Sequence, residues 1–337
     1  MPEQNSKVWR TLQQYGFTPI AIVAFVLMFL VPFVVHDEFL LRLLIVGLIY
    51  ACLAMGFDFT AGFINIVNFG YAAFMGLGAY TSAILAVKFG LSPFIGFLVA
   101  PLVTAVAGLL TGLLTLRLRG IFAAVFTWFV GLALMSVCAN WVSLTKGHNG
   151  LSVPYLFSDP SNKPYYFVIA LLCLITWVIM NRFARGHAGL TYKAIGDDMN
   201  AAMAAGINPT KVKVINFTVS CFIAGLAGAF YAHFVGVLTP KVMHTSNTIE
   251  VMAMAYLGGR GSIWGGFLAA IVFIPLLEYL KFLAEYRLII YGILLVAVMI
   301  FYPDGFSGFV TNKLKKTKFG IFCRNLLHKL SPVKAKS

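Results

Sequence analysis

Charge is scarce in this chain. Of its 337 residues only 11% are Asp, Glu, Lys or Arg and 60% are hydrophobic, whereas about a quarter of a soluble domain is charged. A soluble protein of this length could not bury so much apolar surface, so the solvent must be lipid. Motifs that carry chemistry are missing too. There is no GxxxxGK[ST] to cradle ATP phosphates, no HExxH and no GxSxG. The six His (His36, His148, His187, His233, His244, His328) are scattered, and the five Cys (Cys52, Cys138, Cys173, Cys221, Cys323) form no CxxC pair. That excludes a zinc site and a disulfide framework, and the cysteines read as small apolar packing residues. A membrane enzyme needs a nucleophile with its base. None is found, because Asp197-Asp198 lies in a loop and reads as a helix start rather than a dyad. Ionisable residues near span interiors are few: only Asp58, Glu250 and Glu278 come close. Ion-driven carriers keep such groups for function, so their scarcity leaves either an external energy source or a passive pore.

What the chain has instead is apolar runs of bilayer-spanning length. They fall at about 18–36, 39–57, 69–88, 93–116, 120–140, 164–182, 212–236, a short 247–258, 261–280 and 286–302. Runs of this kind close their hydrogen bonds in lipid as helices, so the fold class expected is all-α, a polytopic bundle of about ten segments. The first run, without a small-residue cleavage site after it, reads as a retained span. With the N-terminus inside, 18 of the 25 Lys and Arg lie on the inner side. This bias matches the positive-inside rule and requires 247–258 to count as a crossing. The organisation expected is an N-terminal cytoplasmic segment 1–17, a transmembrane domain 18–302 with a cytoplasmic loop at about 183–211, and a basic cytoplasmic tail 303–337. The tail spaces Phe319, Phe322, Leu326 and Leu330 among basic residues, which suits a helix lying on anionic membrane lipid rather than on nucleic acid.

Glycine is plentiful, at 31 residues, and concentrated. One stretch runs from Gly56 through Asn65 and Asn68 to Gly78, another from Gly258 to Gly266. Paired interruptions of this kind point to a solute path built from broken helices, although close-packed turns leave the same trace. Small residues four apart (Ala224, Gly228, Ala232; Gly108, Gly112) predict tight helix contacts. Polar groups along a path would be Asn65, Asn68, Thr81 and Thr127, which serve equally as packing contacts.

The loop after the sixth span has local order of its own. Asp197 and Asp198 favour a helix start, the Ala-rich run its body, and Gly206 with Pro209 its end. A short helix over 193–206, defined at both ends, suits docking of a soluble partner better than a plain linker does.

At these residues the sequence resembles the permease subunits of ABC importers for branched-chain amino acids, the LivM branch. The matching pieces are Asn68 to Tyr80, Leu116-Arg-Leu-Arg-Gly120, Ser143 to Ser152, Gly189 to Lys213, Ala224 to Ala232 and Leu257 to Gly266. They keep the family's order from about Leu53 to Tyr302. Two features depart from the family pattern: Gly196 stands where a basic residue is common, and the stretch before Asn68 is longer than usual. The resemblance implies a bacterial inner-membrane permease with both termini cytoplasmic and no cofactor of its own, with ATP-Mg held by partner ATPases. It implies four partners: a second related permease, two cytoplasmic ATPases and a periplasmic binding protein. It makes Lys193, Asp197, Asp198, Ala201, Ala202 and Gly206 the element that docks an ATPase. The solute implied is Leu, Ile or Val, with urea, short amides or another amino acid as alternatives. A carrier or channel working alone is the rival from another class.

Overall fold

The computed structural model describes residues 19–115, 118, 120–157 and 161–279, with isolated positions between 289 and 308. The segment 1–17, Arg117 and Arg119, most of the run 286–302, and the basic tail lie outside the described residues. Among the described residues the fold is an all-α membrane bundle. In chain order the helices are α1 Pro19–Val34, α2 Glu38–Ala61, α3 Tyr71–Phe89, α4 Pro93–Thr115, α5 Ile121–Asn140 and the short α6 Val142–Thr145. They continue with α7 Lys163–Ala184, α8 His187–Asp197, α9 Met199–Ala204, α10 Pro209–Val235, α11 Thr245–Gly258 and α12 Ile263–Tyr279. Every expected run that lies among the described residues thus carries a helix. Six of them (α2, α3, α4, α5, α7, α10) are long and apolar enough to cross a bilayer unaided. The chain is therefore a multi-pass membrane protein.

Two helices organise the bundle. α10 packs along α4 and α3, while α2 holds α12, α7, α10 and α11. Helices in lipid gain nothing from hiding apolar surface, so association depends on close backbone approach and dispersion. A Cβ on Gly78 would lie 2.5 Å from Gly225 Cα, so α3 and α10 touch backbone to backbone. On the other flank the fully buried Trp177 of α7 meets Phe25 of α1 at 5.1 Å and Trp264 of α12 at 5.2 Å between ring centroids. The outer faces of α4 and α5 keep Leu98, Leu102, Leu114 and Phe122 exposed, as a lipid-facing surface requires.

The chain breaks its helical course at two places. α2 ends at Ala61, and residues 62–70 then fold back among the helices without regular structure before α3 begins. Tyr71, the first residue of α3, packs its ring against Phe57 at 5.5 Å and donates to Ser220 O at 3.3 Å. The inner end of this stretch is enclosed by protein, with Asn68 and Gly70 buried, whereas Asn65 is exposed. The second break lies at 236–244, where α10 gives way to β2 (Val237–Leu238) and a 3-10 turn, Pro240–Met243. From there α11 runs beside the second half of α2. Glu250 accepts from Tyr50 at 2.7 Å, and eight residues further along each helix, about 12 Å, the turn after Gly258 meets Asp58. α11 has 14 residues and spans about 21 Å, less than the ~30 Å hydrocarbon core. The short segment 247–258 is thus helical, and the irregular 236–244 precedes it.

The Gly258–Gly266 stretch forms a sharp turn that packs against Gly62 and Asp58 at the start of the first break. α11 and α12 meet there at 117°. Gly258 and Gly265 lie so close that a Cβ on either would strike the other's backbone.

The two ends of the bundle differ. At one, called here the loop end, α8 and α9 cover the ends of α2 and α10. At the other, the hairpin end, β1 (Leu151–Ser152) pairs antiparallel with β2, Leu151 opposite Leu238. There the buried His233 of α10 has one ring nitrogen 2.8 Å from Pro154 O and the other 2.8 Å from Ser82 Oγ. A carbonyl only accepts, so Nδ1 carries the proton and Nε2 accepts from the serine.

Candidate functional site

A cavity of about 60 Å³ lies at the middle of the bundle, where the helices following both breaks meet α2 and α10. Its wall includes Tyr50 and Leu53 of α2, Tyr71 and Met75 of α3, Tyr231 of α10 and Asn247 of α11. The lining is aromatic and aliphatic, with polar atoms at its rim. Tyr50 sits midway along α2 and donates to Glu250 Oε2. Asn247 Nδ2 donates to Val242 O at 2.9 Å and fixes the 3-10 turn over the cavity. Thr248 Oγ1 accepts from the Ala72 backbone N–H at 3.0 Å, which joins the first turns of α3 and α11. An apolar pocket with a few convergent polar groups is the usual form of a small-molecule site.

The start of α3 is already capped. Gly70 N–H goes to Asn68 Oδ1 at 3.0 Å, Tyr71 N–H to Asn68 O, Ala73 N–H to Gly70 O, and Ala72 N–H to Thr248. These first-turn donors, which would otherwise attract an anion, have protein partners in this state.

The four expected path residues occupy three different places, and none lines the cavity. Asn68 and Thr127 come together. Thr127 Oγ1 donates to Ala124 O at 2.8 Å and accepts Phe69 N–H at 3.2 Å, clamping the inner end of 62–70 to α5. Asn68 is fully buried, and its Nδ2 has no partner among the described residues. Thr81 lies ten residues beyond Tyr71 along α3 and donates to Leu77 O of its own helix at 2.7 Å. Asn65 is at the loop end, exposed, with φ of 54°. It donates from Nδ2 to Gly196 O of α8 at 2.6 Å and accepts from the Arg260 guanidinium.

The loop differs in form from a single helix over 193–206. Lys193 and Asp197 belong to α8, and the chain turns extended at Asp198 (φ −149°, ψ 108°) before α9. Asp198 caps α9, its Oδ1 accepting from Asn200 N at 2.8 Å and Ala201 N at 3.1 Å. By serving the helix that follows, it ends the one before. Ala202 is buried and Ala201 exposed. Gly206, at φ +84°, stops α9, with Ile207 N–H returning to Ala202 O at 3.0 Å. α8 is seated by Gly189, Tyr192 and Ile195. The Tyr192 ring meets Phe59 of α2 edge-on at 5.1 Å, and burial pushes its phenol pKa up. Gly196 has no room for a side chain: a Cβ there would strike Phe63 O. The residue that departs from the family pattern thus lets α8 rest directly on the non-helical stretch. Leu190, Lys193 and Met203 remain exposed on the outer face of the loop.

Glu250, Tyr50, Asn247 and Arg260 were not among the residues expected at a site. The one signal available in the sequence was that Glu250 is an ionisable residue near a span interior.

Comparison with known proteins places this architecture. The family described as "Branched-chain amino acid transport system / permease component" matches residues 39–299. The high-affinity branched-chain amino acid transport system permease protein LivM of Salmonella typhimurium is 31% identical over 296 residues, 80% of this chain and 70% of that protein. LivH of the same organism is 23% identical over 78% of this chain and 92% of its own length. The autoinducer 2 import system permease protein LsrC of Yersinia pseudotuberculosis is 27% identical over 78% of this chain and 74% of its own. No solved structure matches.

Proposed function

This chain belongs to the family of branched-chain amino acid transport permeases, and we propose that it is the LivM-type subunit of an importer that carries Leu, Ile and Val inward. It is an ABC permease and not itself an enzyme. Energy comes from ATP-Mg on two cytoplasmic ATPase subunits, and a second permease related to LivH completes the membrane part. The loop end faces the cytoplasm in this reading, supported by Arg182, Arg185, Lys193, Lys211 and Lys213 at that end. Both termini then lie inside, and the hairpin end faces a periplasmic binding protein.

One observation carries the proposal: a mid-bundle cavity lies between two interrupted elements, and a docked loop rests on the first of them. The exposed Leu190, Lys193 and Met203 offer an ATPase a mixed apolar and basic surface. The cavity's aromatic and aliphatic wall suits a branched side chain, and Glu250 stands where an ammonium group would pass. Weak, few polar contacts fit a conduit, since selection belongs to the delivering protein and tight binding would slow release.

The test is uptake into proteoliposomes holding both permeases and the ATPases, supplied with the binding protein. Labelled leucine should enter only with ATP, and isoleucine and valine should compete where urea does not. Competition by urea or short amides alone would move the chain to the amide branch. Uptake by the purified chain under an ion gradient, without ATP, would remove the ABC reading.

A further inference from the structure

We propose that Asn65 and Arg260 form a junction that makes both cavity-forming elements, α3 and α11, follow α8 together. Asn65 is a positioning residue in this scheme and Arg260 its partner. The inference rests on the reading of the chain as a permease driven through its loop.

Three elements meet at one side chain. Asn65 Nδ2 donates to Gly196 O, in the last turn of α8, and Asn65 Oδ1 accepts from Arg260 in the turn between α11 and α12. Asn65 itself stands six residues before α3, within the non-helical stretch. Its left-handed backbone (φ 54°) is disfavoured for a residue with a Cβ, although Asn bears it better than most. Such strain persists where surrounding contacts over-determine the conformation, and here both ends of the amide are engaged.

Arg260 is held in turn. Its guanidinium also donates to Ala61 O at 3.4 Å and lies 5.5 Å from the centroid of the Tyr256 ring. Beside it, Gly261 N–H donates to Asp58 Oδ1 at 3.0 Å, which pins the same turn to the end of α2. From this turn α11 runs as an unbroken helix to Val251 and Asn247 in the cavity wall. A short straight helix moves as a rod, so a shift of the turn reaches the cavity wall without being absorbed. The other arm runs from Asn65 along 66–70 to Tyr71 and Met75 on the facing wall. The Ala72–Thr248 hydrogen bond closes the loop between the arms.

The chemistry explains the residue type. An amide of this reach presents a donor to a backbone carbonyl and an acceptor to a guanidinium at once. Aspartate keeps the shape and the acceptor but has no donor for Gly196 O. Asn65→Asp therefore cuts the link to α8 and leaves the link to Arg260.

The experiment measures leucine uptake and ATP hydrolysis in the same vesicles, for the wild type, Asn65→Asp and Arg260→Gln. For Asn65→Asp the solute moved per ATP should fall about tenfold, as loss of one hydrogen bond allows, while hydrolysis stays near the wild-type rate. Arg260→Gln should lower the same ratio. A wild-type ratio in both variants overturns the junction. So does a fall in hydrolysis and uptake in equal proportion, which marks a structural role only. Where Asn65→Asp fails to assemble, Arg260→Lys carries the test: a lowered ratio supports the junction and an unchanged one overturns it. Absence of ATP-driven uptake by the wild type strikes the permease reading instead, so the two failures are distinguishable.

Discussion

Tyr50 of α2 donates a 2.7 Å hydrogen bond to Glu250 of α11, across 200 residues of sequence. It joins the midpoint of one of the bundle's two organising helices to the element that follows the second break, at the edge of the cavity. A hydrogen bond to a carboxylate inside a bundle contributes about 1.5–3 kcal/mol, and removing one partner costs more than removing both. Tyr50→Phe should therefore lower the thermal midpoint of the detergent-solubilised protein and slow leucine uptake several-fold. Adding Glu250→Leu should restore most of the midpoint and none of the uptake. Equal midpoints for the single and double variants would count against the pairing.

Gly196→Ala tests the seating of α8. The new methyl group collides with Phe63 O, and forced overpacking of this kind costs about 1–3 kcal/mol. The strain is local, because α8 can lift away from 62–65 without opening the bundle. Backbone amides of 187–197 should exchange with deuterium faster while the global thermal midpoint stays within a degree or two. Unchanged exchange there would show that α8 does not depend on this contact.

Asp198 and Asp197 are adjacent and have different jobs. Asp198→Ala removes the cap of α9 and should destabilise that helix by about 0.5–2 kcal/mol, seen as faster exchange at 199–204 and weaker coupling of ATP hydrolysis to transport. Asp198→Asn should keep the cap. Asp197→Ala should leave α9 intact, since its side chain caps nothing among the described residues. Loss of α9 protection in Asp197→Ala would contradict this division.

At the hairpin end, Ser82→Ala leaves the buried Nε2 of His233 without its donor, a loss of about 1–3 kcal/mol. His233 holds Pro154, one residue beyond Val153, whose N–H bonds Gly236 O at 2.8 Å. The expected result is faster exchange at Val153 and neighbouring amides. The larger Ser82→Thr should not rescue it, because Gly96 of α4 already packs against Ser82.

The division between what the sequence determined and what the tertiary structure decided follows from the range of the forces. Apolar run length set the membrane class and the position of each described span, because the cost of polar backbone in lipid acts residue by residue. Short-range chemistry also let Asp198, Gly206 and Pro209 mark helix ends, since a cap bonds within three or four residues. Even so, the division of 193–206 into two helices was hidden, because Asp198 can continue a helix or cap the next. The cavity, the break at 236–244 and the true surroundings of Asn65 were not legible at all. Asn65 meets Gly196 and Arg260 from 131 and 195 residues away. Partners that distant are chosen by which helices pack together, and in lipid that depends on backbone fit at contacts such as Gly78–Gly225 rather than on any pattern along the chain.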